Sequence, residues 1–304
     1  MERIQSALDK ARARRAEQST LPPQRPSPSR SASGAEDTAP PPATDGTAAL
    51  EIDRDAAPAA PEPQHGPDIA ANWKALTEFY PRPGLMRRNR IVAFTGGSDA
   101  AHVDMMRTRI LQQMRINGWR RLAVTSPGTG CGKTTTCLNL AFSLSRLNDQ
   151  RTIVAEMDMR RPGLVPALGL KSPGNFAQVI EGTAAAADHL LRYGENVAFG
   201  ANAAPARNPS ELLQNAQVAP ALTRLEAEYD PTVVIFDMPP MLIADDMLAF
   251  APHVDCVLLL AAAEQSTVDE IDSCEKELAA HTNVLGVVLN KCRYVGKGYG
   301  YGYY

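Results

Sequence analysis

The chain has 304 residues, a formal net charge of -3 and a hydrophobic fraction of 44%. This length leaves room for a sizeable core, and the near-neutral charge argues against a nucleic-acid-binding surface over the whole protein. The longest apolar run, at 256–263, is far shorter than the ~20 residues of a membrane-spanning helix. No secretion signal is evident near residue 1, and the five cysteines form no CxxC pair. We therefore expect a soluble cytoplasmic protein with reduced thiols in its core.

Residues 1–68 are expected to lie outside the folded domain. Residues 1–15 place Met1, Ile4 and Leu8 on one helical face beside five Arg and Lys residues. This pattern predicts either a short basic helix suited to a partner groove or an anionic membrane, or a charged terminus without a role. From about residue 19 to 68 the composition shifts to Pro, Ala, Ser and Thr, with 11 of the 24 prolines. Such a segment buries too little apolar surface to offset its ordering entropy, so we predict a disordered tether.

Short apolar runs alternate with longer amphipathic segments from residue 69 onward. Their near-continuous Val, Ile and Leu content is typical of strands that helices cover on both faces. The predicted strands are 121–126, 152–158, 232–238, 255–262 and 283–291, and the predicted helices are 133–147, 210–228 and 267–281. This alternation predicts one doubly wound α/β domain with a mostly parallel sheet over residues 69–293.

A glycine-rich loop, PGTGCGKTTT at 127–136, joins the first predicted strand to a predicted helix. Its glycines let backbone N–H groups converge on phosphate oxygens at the helix N-terminus. Lys133 is expected to reach the β- and γ-phosphates of a nucleotide, and the Thr134 hydroxyl to bind Mg²⁺. Pro127 replaces the usual first glycine of this motif. The candidate nucleotide-binding residues are Gly128, Thr129, Gly130, Cys131, Gly132, Lys133, Thr134 and Thr135.

Acidic residues end two further strands. Glu156 and Asp158 close the strand at 152–158, and residues two apart on a strand share a face, so both carboxylates are expected in one crevice. There they could hold hydrated Mg²⁺ or take a proton from an attacking hydroxyl; the alternative is an acidic turn cap. Asp237 ends the strand in VVIFDMPP, which is typical of a carboxylate near Mg²⁺.

The last eleven residues, YVGKGYGYGYY, hold five of the chain's eight tyrosines. The intervening glycines disfavour a stable helix or strand, so the hydroxyls are available for presentation to an active site. The alternative is a low-complexity end without a role. The candidate phosphate acceptors are Tyr294, Tyr299, Tyr301, Tyr303 and Tyr304.

The phosphate loop, the strand end with Glu156 and Asp158 and the strand end with Asp237 follow one another in an order that resembles the bacterial tyrosine kinases of capsule and exopolysaccharide synthesis. The resemblance extends to the NPSELL sequence at 208–213, the GVVLNKCRY sequence at 286–294 and the tyrosine tail. The resemblance covers about residues 90–304 and implies a P-loop kinase that uses ATP and Mg²⁺. It implies that Lys133 and Thr134 bind ATP·Mg²⁺, and that Asn290 lies near the adenine. It also implies that Glu156, Asp158 and Asp237 provide metal binding and base catalysis, with Thr134, Asp158 and Asp237 as the metal set.

The resemblance further implies that the chain phosphorylates the tyrosine tail of a neighbouring subunit. A membrane-spanning polysaccharide co-polymerase is the implied activator, which would place the protein at the inner face of the cell membrane. Because each phosphate adds negative charge close to the site's carboxylates, we expect a phosphorylated tail to leave the neighbour's site. No nucleic acid is expected as a partner.

Two motifs depart from the family pattern. The second element of the family reads Asp-x-Asp-x-Arg, whereas this chain has Glu156, whose carboxylate reaches one methylene further. The family's subunit contact carries Glu-x-x-Arg-x-x-Arg, where this chain offers Ala101, Asp104 and Arg107. The sequence therefore leaves open whether the chain forms a homo-oligomer through residues 101–109.

Two other functions remain open from the sequence. A partition or septum-positioning ATPase shares the fold, but such proteins have a lysine where this chain has Gly128, and the tail tyrosines would be unexplained. A non-catalytic scaffold could instead bind ATP and regulate polysaccharide export through the tail or the basic residues 1–15.

Overall fold

The computed structural model describes residues 68–293. The predicted basic helix, the predicted tether up to residue 67 and the tyrosine tail lie outside the described residues. The division of the chain into an arm, a kinase domain and a tail therefore stays a prediction.

The described residues form one eight-stranded sheet between layers of helices. In chain order the strands are β1 Thr77–Glu78, β2 Arg121–Thr125, β3 Thr152–Glu156, β4 Leu190–Tyr193, β5 Val197–Gly200, β6 Val233–Asp237, β7 Cys256–Ala262 and β8 Asn283–Asn290. Their spatial order is β1-β4-β5-β3-β6-β2-β7-β8, and every pair is parallel except β4 with β5. The predicted doubly wound, mostly parallel α/β fold is confirmed.

Each of the five predicted strands is present, and β1, β4 and β5 were not predicted. β4 and β5 are four residues each and form an antiparallel pair around Gly194, which is too short for a periodic signal. β3 ends at Glu156, two residues before the predicted end, because the N–H groups of Met157 and Asp158 both donate to the carbonyl of Asp237 on β6. The chain therefore crosses toward β6 before Asp158.

The helices, in chain order, are α1 Ile69–Ala75, α2 Pro83–Arg88, α3 Ala101–Asn117, α4 Lys133–Leu144, α5 Leu164–Leu168, α6 Phe176–Ile180, α7 Pro209–Leu213, α8 Val218–Tyr229, α9 Asp246–Phe250 and α10 Val268–Ala279. The predicted single helix at 210–228 is wrong, since α7 and α8 are separate. α8 begins at Val218, which places Pro220 in its first turn, where the missing N–H has no helical acceptor. A capping box between Thr267 and Glu270 starts α10.

Two apolar clusters cover the two faces of the sheet. One face packs Phe236 against Phe250 and α8, and the other packs Phe142 of α4 against Phe199 of β5. Cys131, Cys137, Cys256 and Cys274 are free and buried, as predicted, whereas Cys292 is free and exposed. Among the helices of residues 68–293, none combines the length and apolar composition needed to cross a bilayer.

Candidate active site

The three sequence motifs meet at the carboxyl edge of the sheet. β2, β6 and β3 are neighbours at its centre, and each leads into one motif. β2 precedes the phosphate loop, β6 ends at Asp237, and β3 ends at Glu156, which is in register with Asp237. Because these strands are parallel, residues far apart in the sequence lie together in one crevice.

The phosphate loop, residues 127–134, leads into the N-terminus of α4. Gly130 and Gly132 have φ angles of 74° and 97°, in the left-handed region that favours glycine. No acceptor among the described residues receives a hydrogen bond from the backbone N–H groups of residues 128–135. These donors, at the positive end of a helix, form a cradle suited to phosphate oxygens.

Three side chains from different parts of the chain donate hydrogen bonds to carbonyl groups of this loop. Ser126 Oγ donates to the carbonyl of Gly128 over 2.7 Å, and Gln265 Nε2 donates to that of Thr129 over 2.9 Å. Asn290 Nδ2 donates to the carbonyl of Cys131 over 2.8 Å. Holding the carbonyls in this way leaves the N–H groups of the loop available to an anion.

Thr134 and Asp237 form the best-defined contact of the site. Thr134 Oγ1 donates to Asp237 Oδ2 over 2.6 Å, whereas the buried Oδ1 of Asp237 has no hydrogen-bond partner. Burial raises the pKa of Asp237 to about 7, although the Thr134 hydrogen bond and the Lys133 charge oppose the rise. An unpartnered carboxylate oxygen beside a threonine hydroxyl fits the donor set that Mg²⁺ prefers, and Mg²⁺ bound with a nucleotide needs only one or two protein groups.

Lys133 and Asp158 complete this end of the crevice. Lys133 is almost fully buried, and its charge lowers the pKa of Asp158 and of Asp237. Burial is nevertheless the largest effect on Asp158 and raises its pKa. Asp158 is partly exposed, and its Oδ1 accepts from the backbone N–H of Arg161 over 3.0 Å. Its carboxylate therefore stays accessible from the crevice.

Glu156 lies in register with Asp237 on the neighbouring strand, and backbone N–H groups hold its carboxylate. It is fully buried; its Oε1 accepts from the N–H groups of Gly163 and Leu164, and its Oε2 accepts from that of Asn202 over 2.8 Å. Burial raises the pKa of Glu156, and the three backbone bonds oppose that rise. β3 ends at Glu156 and Asp158 lies on the loop beyond it, so the expectation that both carboxylates share one crevice stays a prediction.

Arg160 links the Asp158 loop to α7 and α9, which the sequence reasoning missed. Its Nε and Nη2 atoms donate to both oxygens of the fully buried Asp246, over 2.8 and 2.9 Å. Its Nη2 also donates to Ser210 Oγ over 2.8 Å, within the NPSELL sequence. The sequence feature that could have indicated this link is Arg160 itself, which occupies the arginine position of the Asp-x-Asp-x-Arg pattern.

A groove of about 750 Å³ lies on the other side of the phosphate loop, between α3, α4 and β8. Gly132, Thr135 and Asn290 line its end nearest the loop. A side chain on Gly132 would collide with Asn290 Nδ2, so the asparagine lies directly against the loop. This end of the groove, beside the phosphate cradle, is where a nucleotide's base and ribose can extend. We call the space the α3–β8 groove.

Thr134, Lys133, Asp158 and Asp237 thus come together, whereas Asn290 lies on the groove side of the phosphate loop and Glu156 is held by backbone N–H groups. The five tail tyrosines lie outside the described residues. Within residues 68–293, no group of three or more His, Cys, Asp and Glu side chains is arranged to hold a metal ion.

Comparison with known families agrees with this geometry. A family model described as the CobQ/CobB/MinD/ParA nucleotide binding domain matches residues 122–297, which include all three motifs. The chain belongs to this nucleotide-binding family. The phosphate loop and the Thr134–Asp237 pair both lie within the residues that this family model matches.

Relatives within this family carry the name of tyrosine-protein kinases. The chain is 27% identical over 218 residues to AmsA of Erwinia amylovora and 29% identical over 195 residues to wzc of Salmonella typhi. These matches cover 70% and 60% of this chain, but 30% and 26% of the relatives. CpsD of Streptococcus pneumoniae is 28% identical over 173 residues, which cover 56% of this chain and 75% of CpsD. The chain thus spans less than a third of the first two relatives.

Solved structures of kinase domains share this fold. The VpsO kinase domain has a TM-score of 0.56 and 25% identity, and the match covers 64% of this chain and 94% of VpsO. The kinase domain of Escherichia coli tyrosine kinase ETK has a TM-score of 0.60 and 24% identity, over 68% of this chain and 81% of ETK, and shows the fold. The predicted resemblance to bacterial tyrosine kinases is confirmed in sequence and in fold.

Proposed function

We propose that this protein is an ATP- and Mg²⁺-dependent tyrosine autokinase that regulates exopolysaccharide or capsule synthesis and export. The observation that carries the proposal is the meeting of Lys133, Thr134, Asp158 and Asp237 at one crevice, in a chain whose relatives are named tyrosine-protein kinases. The tail tyrosines Tyr294, Tyr299, Tyr301, Tyr303 and Tyr304 are the proposed phosphate acceptors.

In this proposal the loop and Lys133 hold the triphosphate. The N–H groups of residues 128–135 donate hydrogen bonds to its oxygens, and the Lys133 ammonium offsets charge on the transferring phosphoryl group. Thr134 and Asp237 are the residues that would hold Mg²⁺, which neutralises charge on the β- and γ-phosphates when bound. Asn290, at the loop end of the α3–β8 groove, is placed for contact with the adenine.

Asp158 is the proposed base for the tyrosine hydroxyl. It is the carboxylate of the crevice that stays partly exposed, and its raised pKa makes it a better proton acceptor than an ordinary aspartate. Glu156 is less suited to this role, since it is fully buried and backbone N–H groups bind both of its oxygens. Its proposed part is to fix the loop that carries Asp158.

The proposed partners are a neighbouring subunit, which supplies the tail, and a membrane-spanning co-polymerase at the inner face of the cell membrane. A relative from Klebsiella pneumoniae named for the cps region supports the polysaccharide context.

We do not expect α3 to form the subunit contact of the family pattern in this chain. Asp104 accepts from Ser143 and Arg146, and Arg107 donates to the carbonyl of Ser143 over 3.0 Å, so both residues of the degraded contact motif are engaged within the chain.

Incubation of the full chain with γ-labelled ATP and Mg²⁺ tests the proposal. We expect label on tyrosine within the tail; free phosphate without protein label would indicate an ATPase switch, and neither product a scaffold. Lys133→Ala should abolish the tyrosine label, whereas Lys171→Ala, at an exposed lysine away from the loop, should keep it. Tail label at the unaltered level in Lys133→Ala would exclude this site as the kinase centre.

A further inference from the structure

The outer edge of β8 is an apolar strand edge without a partner among the described residues. β8 is the last strand of the sheet and pairs with β7 alone. Val287 and Leu289 are about half exposed, at 44% and 53%. Proteins normally cover or charge such an edge, because its free N–H and C=O groups attract another strand. We therefore expect another segment of chain to pair with this edge of β8.

The α3–β8 groove runs along this same edge and has open space in it. Gly286 and Val288 lie on the groove side of β8, since Gly286 pairs with Leu258, which belongs to the core cluster beneath α3. An ideal Cβ at Gly286 would meet no atom within 4 Å. An aromatic side chain from a paired strand can fill the space beside such an edge glycine.

The groove is also basic. Arg90, His102, Arg109 and Lys291 line it, and no Asp or Glu of the described residues does. Arg109 is exposed and makes no ion pair within the described part of the chain. Guanidinium groups of this kind bind the oxygens of a phosphate group.

We propose that the phosphorylated segment 294–304 of the same chain folds back and pairs antiparallel to β8, with its tyrosines in the α3–β8 groove. The chain already turns after β8, since Lys291 has a φ angle of 59°. Eight residues, 297–304, match the eight residues of β8, which leaves 291–296 for the turn. The segment alternates Gly and Tyr from 298 to 303, so a strand would place Tyr299, Tyr301 and Tyr303 on one face.

The register fits the groove. If residue 297 lies opposite Asn290, then Tyr299 lies opposite Val288 and Tyr301 opposite Gly286, on the side that has open space. The glycines then face the other side. A phosphate on Tyr301 adds charge and acceptor oxygens in a groove that holds Arg90 and Arg109. The groove would thus receive the tail once phosphorylation has driven it from a neighbour's active site; in that respect the inference rests on the proposed function.

Hydrogen–deuterium exchange of the full chain tests this inference. Phosphotyrosine is incorporated at position 301 during translation, so the experiment needs no kinase activity, and a Tyr301→Phe chain is compared with it. We expect exchange of the β8 amides, residues 283–290, to slow by about tenfold or more in the phosphorylated chain. The protection should be the same over a wide range of protein concentration.

The controls use two exposed arginines on opposite faces of the sheet. Arg109→Glu should remove the protection, whereas Arg224→Glu, on α8, should keep it. Unchanged β8 exchange on phosphorylation would overturn the inference, as would equal protection in Arg109→Glu. Protection that grows with concentration would also overturn it, since a second copy would then be the occupant. A chain that shows the protection but never labels itself would contradict the kinase proposal alone.

Discussion

The hydroxyl of Thr134 donates a 2.6 Å hydrogen bond to Oδ2 of Asp237, a residue 103 positions further along the chain. This contact joins the first turn of α4 to the end of β6 and leaves Asp237 Oδ1 buried without a partner. A buried carboxylate with one unsatisfied oxygen weakens the metal-free fold, and a cation at that oxygen would remove the defect.

The stability of the metal-free protein should therefore fall as pH rises. Burial raises the pKa of Asp237 from 3.8 to about 7, so the folded state holds a proton that the unfolded state releases between about pH 4 and 7. Asp237→Asn should remove this dependence and stabilise the metal-free fold above pH 7 by roughly 2–4 kcal/mol. Urea unfolding in a chelator across this range measures it.

Mg²⁺ should stabilise the unaltered chain above pH 7 and leave Asp237→Asn unaffected, while tail labelling falls by orders of magnitude in that variant. Asp272→Asn, at an exposed site on α10, serves as the control and should behave as the unaltered chain does. A pH profile shared by Asp237→Asn and the unaltered chain would contradict the assignment.

Gly163→Ala should damage the proposed Mg²⁺ site without changing a charged residue. Its added Cβ would lie 2.9 Å from Thr134 Oγ1, so the hydroxyl must rotate away from Asp237. We expect Mg²⁺-dependent ATP binding to weaken by about tenfold or more, while binding without Mg²⁺ changes little. Calorimetric titration with and without Mg²⁺ separates the two. Gly84→Ala, where a Cβ meets no atom, is the control, and equal Mg²⁺ affinity in both variants would refute the steric argument.

Glu156 should tolerate neither Gln nor Asp. The amide of Gln turns one acceptor into a donor facing backbone N–H groups, and the shorter Asp cannot reach Gly163, Leu164 and Asn202 together. We expect a loss of roughly 1–3 kcal/mol in unfolding free energy for either change. Exchange of the Gly163 and Leu164 amides should quicken as well.

The matched control is Glu277→Gln, at an exposed glutamate on α10. If the Glu156→Asp variant is as stable as the unaltered chain and more active, the family's aspartate geometry is instead the better one, as the resemblance suggested.

Arg160→Lys should destabilise the loop that carries Asp158. A lysine ammonium lacks the planar two-donor geometry with which Arg160 meets both oxygens of the fully buried Asp246. Because Arg160 is 42% exposed, solvent screening limits the loss to roughly 1–3 kcal/mol. In labelling assays kcat should fall more than the KM for ATP rises. Arg161→Lys, at an exposed arginine, should change neither quantity.

Much of the fold was readable because the apolar runs of a doubly wound sheet are buried on both faces. β2, β3, β6, β7 and β8 were each predicted within two residues of their ends. β4 and β5 were not, because four residues carry too little periodicity, and their pairing depends on contacts with β3 and β1. The break between α7 and α8 was not predicted, although Pro220, which a helix accepts in its first turn, indicated that a new helix begins near residue 218.

The sequence by itself determined where the nucleotide-binding motifs of the chain lie. The phosphate loop, Lys133, Thr134 and Asp237 are local motifs, because a glycine-rich turn between strand and helix builds its own anion cradle. Only the tertiary structure decided the roles of the other charged residues. Strand alternation gave Glu156 and Asp158 the same face, but the ends of three parallel strands set their neighbours. Glu156 accepts hydrogen bonds from three backbone N–H groups, and Arg160 pairs with the buried Asp246. Buried charged groups need such partners, and the tertiary packing decides which groups lie close enough to provide them.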